Sequence, residues 1–324
     1  MYSYLFNQEF KNNFGIMEKY NLQNDLKVFG VQVNTFPNGV GEAFDKLMKM
    51  LPQQDKRPYY GISQCVNGNI NYVAAALETY DGEGNKYGYQ NYTIDKGEYL
   101  TTPLMDWTSK TGCIKGVFEE IIKDERADTT KPAIEVYKNI KEMVCMVKIE
   151  PRKEMKIELD NVTQKLMQSI SSLDEEQLNT IPFEGSWTAG QVAEHLIKSN
   201  GGFAKLLFGP VKETERATDE LVGEIKKTFL DFTIKMDSPA SVLPTKSRYK
   251  KEEVLNSFED ITPTIGRAIQ TLDLSQTCID FEIPETGFLT RTEAIWFVIY
   301  HTQRHVHQLE NIIDKIKRKY HYNL

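Results

Sequence analysis

The hydrophobic pattern of the chain changes its period near residue 150. Apolar and polar positions alternate over residues 26–150, around two helical segments, whereas residues 154–318 repeat apolar positions at the 3.6-residue spacing of helices. We therefore predict an α+β domain over residues 1–150 and an all-α helical bundle over residues 151–324. A chain of 324 residues is long enough for each of these domains to bury its own core.

The first half repeats one order of elements. The first set has a helix near 40–51 and strands near 26–34, 59–66 and 70–78. The second set has a helix near 112–124 and strands near 97–104, 131–137 and 143–150. Matching elements are separated by about 72 residues, which predicts a duplicated strand-helix-strand-strand unit joined by a turn-rich connector at 80–88.

Two such units, paired about a pseudo-twofold axis, would leave a cleft that suits a small ligand. The candidate lining residues are aromatic and acidic: Tyr59, Tyr60, Tyr72, Glu98, Tyr99, Trp107, Glu135 and Tyr137. A strand carboxylate beside aromatic faces can hold a lipophilic cation through charge and cation–π attraction. The simpler alternative stays open for each residue, because most strand tyrosines pack in a core and most strand carboxylates face water.

This half of the chain resembles the GyrI-like effector-binding domain, the small-molecule module of many multidrug-responsive regulators. The resemblance covers about residues 24–150 and rests on the repeated topology, the strand Pro132–Tyr137 and the stretch from Gly97 to Trp107. It implies that Glu135 is the acid that meets cationic ligands. Because only about 25 residues precede the domain, too few for a helix-turn-helix, we do not expect a self-contained repressor.

The second half contains four long helical patterns and one shorter one. The long ones lie at 154–173, 188–208, about 249–273 and 291–318, and the shorter one near 216–230. A capping box from Thr188 to Gln191 marks the start of the second long helix. His195 lies on the apolar face of that helix, and His301 and His305, four residues apart, lie on the apolar face of the last helix.

Three inward imidazoles need a common explanation. A neutral histidine in an apolar bundle must satisfy both ring nitrogens, and a divalent metal would satisfy one nitrogen on each ring at once. A single buried histidine is more often structural than a ligand, so the prediction depends on the three together. His307 lies about 200° round the helix from His305, and His321 is in a basic tail, so we expect both to be solvated.

The second half is similar to the DinB-like four-helix bundles, particularly the branch of metal-dependent hydrolases and bacillithiol S-transferases. The resemblance covers about residues 154–318 and rests on the blocks Gly185–His195 and Tyr300–Gln308. It implies that His195, His301 and His305 bind nickel, zinc or iron with open positions for water or substrate. It also implies that Trp187 packs at the start of the second long helix.

A three-histidine centre could lower the pKa of water for hydrolysis, or that of a low-molecular-weight thiol for attack on an electrophile. The resemblance favours the thiol. Three imidazoles do not select one metal, because imidazole suits zinc, nickel, copper and iron alike. Glu194 and Glu310 flank the histidines, but we expect both off the inward face, so the sequence identifies no catalytic residue.

Composition argues against several classes of partner. The formal net charge is −7 and no basic stripe occurs, so nucleic acid is not an expected partner. No apolar stretch approaches the roughly 20 residues that span a bilayer, and the N-terminus lacks a signal-peptide pattern, so we expect a cytoplasmic protein without a membrane partner. The four scattered cysteines do not form a disulfide framework.

We therefore expect a metal-dependent, DinB-like enzyme of a stress or xenobiotic response, fused to a domain that binds lipophilic or cationic small molecules. A thiol S-transferase is the favoured activity and a hydrolase is the alternative. The expected partners are a small-molecule ligand and a low-molecular-weight thiol, and a homodimer is left open. The main rival is a non-catalytic sensor or sequestration protein with a structural metal, and a third hypothesis is ring hydrolysis by Glu98 and Glu135.

Overall fold

A computed structural model describes residues 15–52, 56–283 and 286–321. The chain divides into two compact units, Met1–Pro151 and Arg152–Leu324, which we call unit 1 and unit 2. No helix in the described ranges is both long and apolar enough to cross a membrane.

Within the described residues, unit 1 is built on an antiparallel sheet of eight strands. The strands are β1 Glu18–Leu22, β2 Leu26–Val33, β3 Tyr59–Val66, β4 Asn69–Leu77, β5 Gln90–Ile94, β6 Gly97–Met105, β7 Ala133–Tyr137 and β8 Glu142–Lys148. The helices are α1 Val40–Met50, the single turn α2 Glu83–Lys86 and α3 Ile114–Ile121. The spatial order β1-β6-β8-β7-β3-β4-β2-β5 brings β3 and β7 together at the centre of the sheet.

The order strand, helix, strand, strand occurs twice in unit 1, from β2 to β4 and from β6 to β8. The hairpin between β3 and β4 turns at Asn67 and Gly68, which both have positive φ. Asn-Gly is the sequence that two-residue hairpins favour, because both residues tolerate that conformation. The turn sets the register that pairs Val66 with Asn69.

The prediction missed two strands of unit 1, β1 and β5. Both lie at edges of the sheet, and most of their side chains are exposed or half-exposed. Strands with so few buried positions lack the apolar alternation by which a strand is recognised in the sequence.

The helices α1 and α3 pack on one face of the sheet. Ala43 of α1 lies in an apolar cluster with Tyr72 and Ala74 of β4. Val117 and Ile121 of α3 lie in another cluster, together with side chains of β6 and β8. The opposite face carries a separate apolar cluster that includes Tyr60, Ile62, Val73, Tyr99, Ile134 and Met146.

Unit 2 is helical. Its helices are α4 Pro151–Ser171, α5 Glu175–Leu178, α6 Ala189–Phe208, α7 Val222–Leu230, α8 Lys251–Thr271 and α9 Arg291–His321, and the short strands β9 Val211–Lys212 and β10 Thr277–Cys278 pair with each other. The four long helices are those that the apolar spacing predicts, with boundaries within a few residues. A single apolar cluster joins α4, α6, α8 and α9 through buried side chains such as Leu166, Leu196, Phe258 and Leu309.

Candidate metal centre

The start of α6 is fixed by the predicted capping box. The Thr188 hydroxyl accepts a hydrogen bond from the Gln191 backbone amide at 3.1 Å, and the Gln191 side chain accepts one from the Thr188 amide at 2.9 Å. These bonds satisfy two backbone donors that a helix N-terminus otherwise leaves unpaired. The box therefore places His195 two turns into the helix, where it is only 3% exposed.

The structure brings His195, His301 and His305 together in the core of unit 2. Nε2 of His301 lies 3.1 Å from Nε2 of His195 and 3.0 Å from Nε2 of His305. One nitrogen from each ring can be chosen so that all three lie within 4.8 Å of one another. A metal bonded to imidazoles at about 2.0–2.1 Å separates adjacent nitrogens by about 3 Å, so these spacings fit a shared ion.

The other nitrogen of each ring has a partner outside the cluster. Nδ1 of His195 lies 3.1 Å from the Val242 carbonyl oxygen, and Nδ1 of His305 lies 2.7 Å from the side-chain oxygen of Gln308. Nδ1 of His301 lies 3.4 Å from the Ser199 hydroxyl.

Two of these partners determine where the rings of His195 and His305 carry their protons. A carbonyl oxygen only accepts hydrogen bonds, so Nδ1 of His195 is the donor, and the assigned amide orientation of Gln308 gives His305 the same tautomer. In a neutral ring protonated at Nδ1, the Nε2 atom carries no proton and has a free lone pair. Nε2 of His195 and Nε2 of His305 therefore both present lone pairs towards Nε2 of His301, an arrangement suited to binding a cation. The donor set therefore fits a divalent metal.

Burial also favours the neutral form of these rings. Burial, with added repulsion from His305 and His195, lowers the pKa of His301 well below its usual value. Burial, with repulsion from His195, lowers the pKa of His305 to about 4. Burial also lowers the pKa of His195, although the hydrogen bond to Val242 opposes this shift. Imidazole must be neutral to coordinate a metal, so no proton has to leave these rings at neutral pH.

Aromatic side chains surround the cluster. The Trp187 ring lies 5.4 Å from the His195 ring, and the Phe229 ring lies 5.2 Å from the His301 ring, measured between centroids. Trp187 is partly buried against the core of unit 2.

The two flanking glutamates differ in their surroundings. Glu194 is buried, and it accepts hydrogen bonds from the backbone of Thr245 and Lys246 and from the Tyr249 hydroxyl. Burial alone would raise the pKa of the Glu194 carboxyl, but the hydrogen bonds from Tyr249, Lys198 and the backbone hold that pKa well below its usual range. Glu310 is exposed on α9.

His307 lies outside the cluster, but it is half-buried rather than solvated. Its ring stacks on Phe232 at 4.1 Å between centroids, and its Nε2 lies 3.2 Å from the Asn311 side chain. The side chain of His321 lies outside the described residues.

In unit 1, Glu135 is buried in the centre of the sheet, on the face that carries the helices. Its carboxylate accepts hydrogen bonds from the Tyr72 hydroxyl at 2.5 Å and from the Tyr137 hydroxyl. Burial raises the pKa of Glu135, although both hydrogen bonds oppose this shift. Among the described residues, no basic side chain pairs with this carboxylate.

Aromatic rings adjoin Glu135 on the same face. The Tyr137 ring lies 4.9 Å from the Trp107 ring and 5.1 Å from the Phe44 ring. The Trp107 indole nitrogen donates to the Asn139 carbonyl at 2.9 Å. The structure therefore brings together four of the candidate lining residues, Tyr72, Trp107, Glu135 and Tyr137.

The structure does not bring Tyr60 to Glu135, which corrects the expected lining. Gly61 is the β3 residue opposite Glu135, and its neighbour Tyr60 is opposite Val136. Successive side chains of a strand point to opposite faces, so Tyr60 belongs to the cluster on the other face.

Glu98 is also distant from Glu135. It pairs with Lys19 at 2.9 Å near the edge of the sheet. On β6, Thr102 pairs with Cys145, which in turn pairs with Glu135. Glu98 lies four residues along β6 from Thr102, a distance of about 13 Å at the rise of a β-strand. The two acids therefore do not form a catalytic pair.

The comparisons with known proteins identify the family of unit 2. Residues 158–309 match the DinB superfamily, so unit 2 contains a DinB superfamily domain that includes all three histidines. The uncharacterized protein YuaE of Bacillus subtilis (strain 168) is 26% identical over 157 residues, which cover 46% of this chain and 91% of YuaE.

Three solved structures show weaker likeness. YfiT from Bacillus subtilis, described as a probable metal-dependent hydrolase with an unusual four-helix bundle topology, has 17% identity and a TM-score of 0.34, covering 50% of this chain and 85% of YfiT. The integron cassette protein VCH_CASS2 of Vibrio cholerae has 14% identity and a TM-score of 0.34, covering 43% of this chain and 99% of VCH_CASS2. SAV2435 bound to tetraphenylphosphonium has 11% identity and a TM-score of 0.33, covering 42% of this chain and 94% of SAV2435. All three TM-scores are below 0.5.

Proposed function

We propose that unit 2 is a metal-dependent enzyme domain in which His195, His301 and His305 hold one divalent metal, either zinc, nickel or iron. The observation that carries this proposal is the convergence of the Nε2 atoms at 3.0 and 3.1 Å, while each Nδ1 has a partner elsewhere. A divalent metal bound there would lower the pKa of a water molecule or of a thiol that reaches it.

We propose thiol transfer rather than hydrolysis as the activity. Hydrolysis commonly uses a carboxylate as general base beside the reacting water, whereas an acidified thiol can attack an electrophile without one. Glu194, the buried acid next to a histidine, is occupied by hydrogen bonds from the segment that follows α7. In the proposed reaction the thiol loses its proton to the solvent, the sulfur forms a bond to an electrophilic carbon, and the leaving group departs from that carbon with the electron pair of the broken bond.

A conjugation assay tests this activity. Monochlorobimane and a low-molecular-weight thiol such as bacillithiol form a fluorescent thioether, with release of chloride. We expect zinc- or nickel-loaded protein to accelerate this reaction and His301→Ala to abolish the acceleration. Stoichiometric metal without any acceleration, across several thiols and electrophiles, would support the rival hypothesis of a binding protein whose metal braces the bundle.

We further propose that unit 1 is a GyrI-like small-molecule-binding domain in which Glu135, Tyr137 and Trp107 meet a lipophilic cation. The support is a buried carboxylate that has hydroxyl partners and lies among aromatic rings. A ligand cation would supply the opposite charge, and the rings would add cation–π attraction.

Calorimetry with a cationic dye tests the role of Glu135. Glu135→Gln nearly preserves the shape of the side chain and removes its charge, so we expect a lower affinity for the dye. Glu98→Gln is the matched control, because Glu98 lies in the same sheet but pairs with Lys19, and it should leave the affinity unchanged. Equal affinity of the Glu135→Gln protein and the wild type would exclude a contact between Glu135 and the ligand.

In this proposal, the chain acts in a stress or xenobiotic response in the cytoplasm, and its partners are a small-molecule ligand and a low-molecular-weight thiol. Neither nucleic acid nor a membrane has a part in it.

A further inference from the structure

The segment between α7 and α8, residues 231–249, is fastened to both helices that carry the histidines. We call this segment the strap. The Arg304 guanidinium donates to the Phe229 carbonyl at 3.1 Å and to the Asp231 carbonyl at 2.9 Å. At the other end of the strap, Glu194 binds Thr245. Each of these two side chains belongs to the residue immediately before a histidine of the cluster.

Glu194 uses both of its carboxylate oxygens to hold the strap. One oxygen accepts from the Thr245 hydroxyl at 2.8 Å and pairs with the Lys198 ammonium at 3.0 Å. The other accepts from the Thr245 amide at 2.9 Å, the Lys246 amide at 3.2 Å and the Tyr249 hydroxyl at 2.6 Å. A carboxylate has about four sites for accepting hydrogen bonds, and five donors fill them here.

The strap in turn holds His195. Val242 lies three residues before Thr245, and its carbonyl oxygen is the partner of Nδ1 of His195 at 3.1 Å. Lys198 reinforces the same part of the strap by donating to the Leu243 carbonyl at 2.7 Å. A continuous set of bonded groups therefore runs from Glu194 through the strap to the imidazole of the next residue along α6.

We propose that Glu194 is a positioning residue for the metal centre, which acts by holding the Val242 carbonyl against His195. The acceptor at Nδ1 fixes the rotation of the imidazole and keeps its proton away from Nε2, so that Nε2 is available as a ligand. Without the strap, the ring can rotate and can carry its proton on either nitrogen. This inference rests on the proposed metal function.

Zinc affinity of the full-length protein tests the role of Glu194. In competition with a chromophoric chelator, we expect Glu194→Ala to bind zinc about 10–100-fold more weakly than the wild type, the usual effect of losing an outer partner of a ligand. The zinc affinity of Glu194→Gln should lie between these two, because its amide oxygen can replace the carboxylate oxygen that accepts hydrogen bonds from three of the donors. Glu310→Ala removes an exposed glutamate of α9 and should keep the wild-type affinity.

The ring nitrogens of His195 give a second measurement, which a general loss of stability would not change in the same way. In ¹⁵N spectra of the metal-free protein, we expect the wild-type His195 ring to be protonated at Nδ1 and the ring in Glu194→Ala to exchange between tautomers. An unchanged tautomer in Glu194→Ala would overturn the inference even if zinc binding were weaker.

The outcomes separate this inference from the proposed function. If the wild type binds neither zinc, nickel nor iron, the proposed function is wrong, and the tautomer alone decides the inference. If the wild type and Glu194→Ala bind zinc equally tightly, the metal site stands and the inference is wrong. If Glu194→Ala does not fold, Tyr249→Phe replaces it, because it removes one donor to Glu194 and should weaken zinc binding about twofold to tenfold. Unchanged affinity in that variant would overturn the inference.

Discussion

The buried histidines of unit 2 should make the metal-free protein sensitive to mild acid. Burial, with repulsion from His195, lowers the pKa of His305 to about 4 against opposition from the Gln308 hydrogen bond, whereas an exposed histidine has a value of 6.5. A depressed pKa in the folded state means that the unfolded chain takes up the proton first. The contribution of neutral His305 to the free energy of unfolding is therefore fully present above pH 6.5 and is lost as the pH falls towards 4.

The size of this effect follows from the shift of His305. A difference of about 2.5 pKa units corresponds to about 3 kcal/mol when the titration is complete. Most of that, about 2 kcal/mol, should be lost between pH 7 and pH 4.5. The pKa of His301 is lowered in the same direction, so it adds to the loss. Typical proteins unfold at a cost of about 5–15 kcal/mol, so the contribution is large enough to measure.

Urea unfolding of chelator-treated full-length protein, followed by helical circular dichroism between pH 7 and pH 4.5, measures this loss. The matched variant is His305→Gln, which fills the same space without titrating in this range. We expect the free energy of unfolding of the wild type to fall by about 2 kcal/mol more than that of the variant. Parallel pH profiles for the two proteins would refute the argument, because His305 would then have the same pKa in the folded and unfolded states.

Three further predictions concern the framework of the two units. Thr188→Ala removes one half of the capping box and should lower the free energy of unfolding by about 1 kcal/mol in urea denaturation, and unchanged stability would mean that the cap contributes nothing. Gly61→Ala would place a Cβ atom 2.0 Å from the Tyr72 hydroxyl oxygen and 2.4 Å from a Glu135 carboxylate oxygen, so we expect a loss of about 1–3 kcal/mol in the same assay, and wild-type stability would contradict this close packing. The fragment 152–324 should fold as a helical protein and bind one zinc ion, because it contains all three histidines, and an unfolded or metal-free fragment would show that unit 2 depends on unit 1.

The sequence is most informative where the identity of a side chain and the period of its helix are enough to predict where that side chain lies. The 3.6-residue spacing assigns His195, His301 and His305 to inward faces of two helices, and the structure brings their nitrogens together. The capping box from Thr188 to Gln191 is likewise present as predicted. Both features depend on local geometry that repeats from helix to helix.

The sequence is least informative where a contact depends on a backbone atom or on the register of a strand. The Val242 carbonyl that holds His195 lies in an irregular segment, and a backbone oxygen has no signature in the sequence. In unit 1, a shift of one residue exchanges the two faces of a strand, so apolar alternation alone cannot decide that Gly61 rather than Tyr60 lies opposite Glu135.

The central claim is that His195, His301 and His305 bind one divalent metal per chain. Elemental analysis of the full-length protein, after loading with zinc and removal of the excess by gel filtration, tests it directly. We expect one zinc ion per wild-type chain, a loss of most of it in His305→Ala, and full retention in His307→Ala, since His307 stacks on Phe232 outside the cluster. A wild type without bound zinc, nickel or iron, or an equal loss from both variants, would contradict the account.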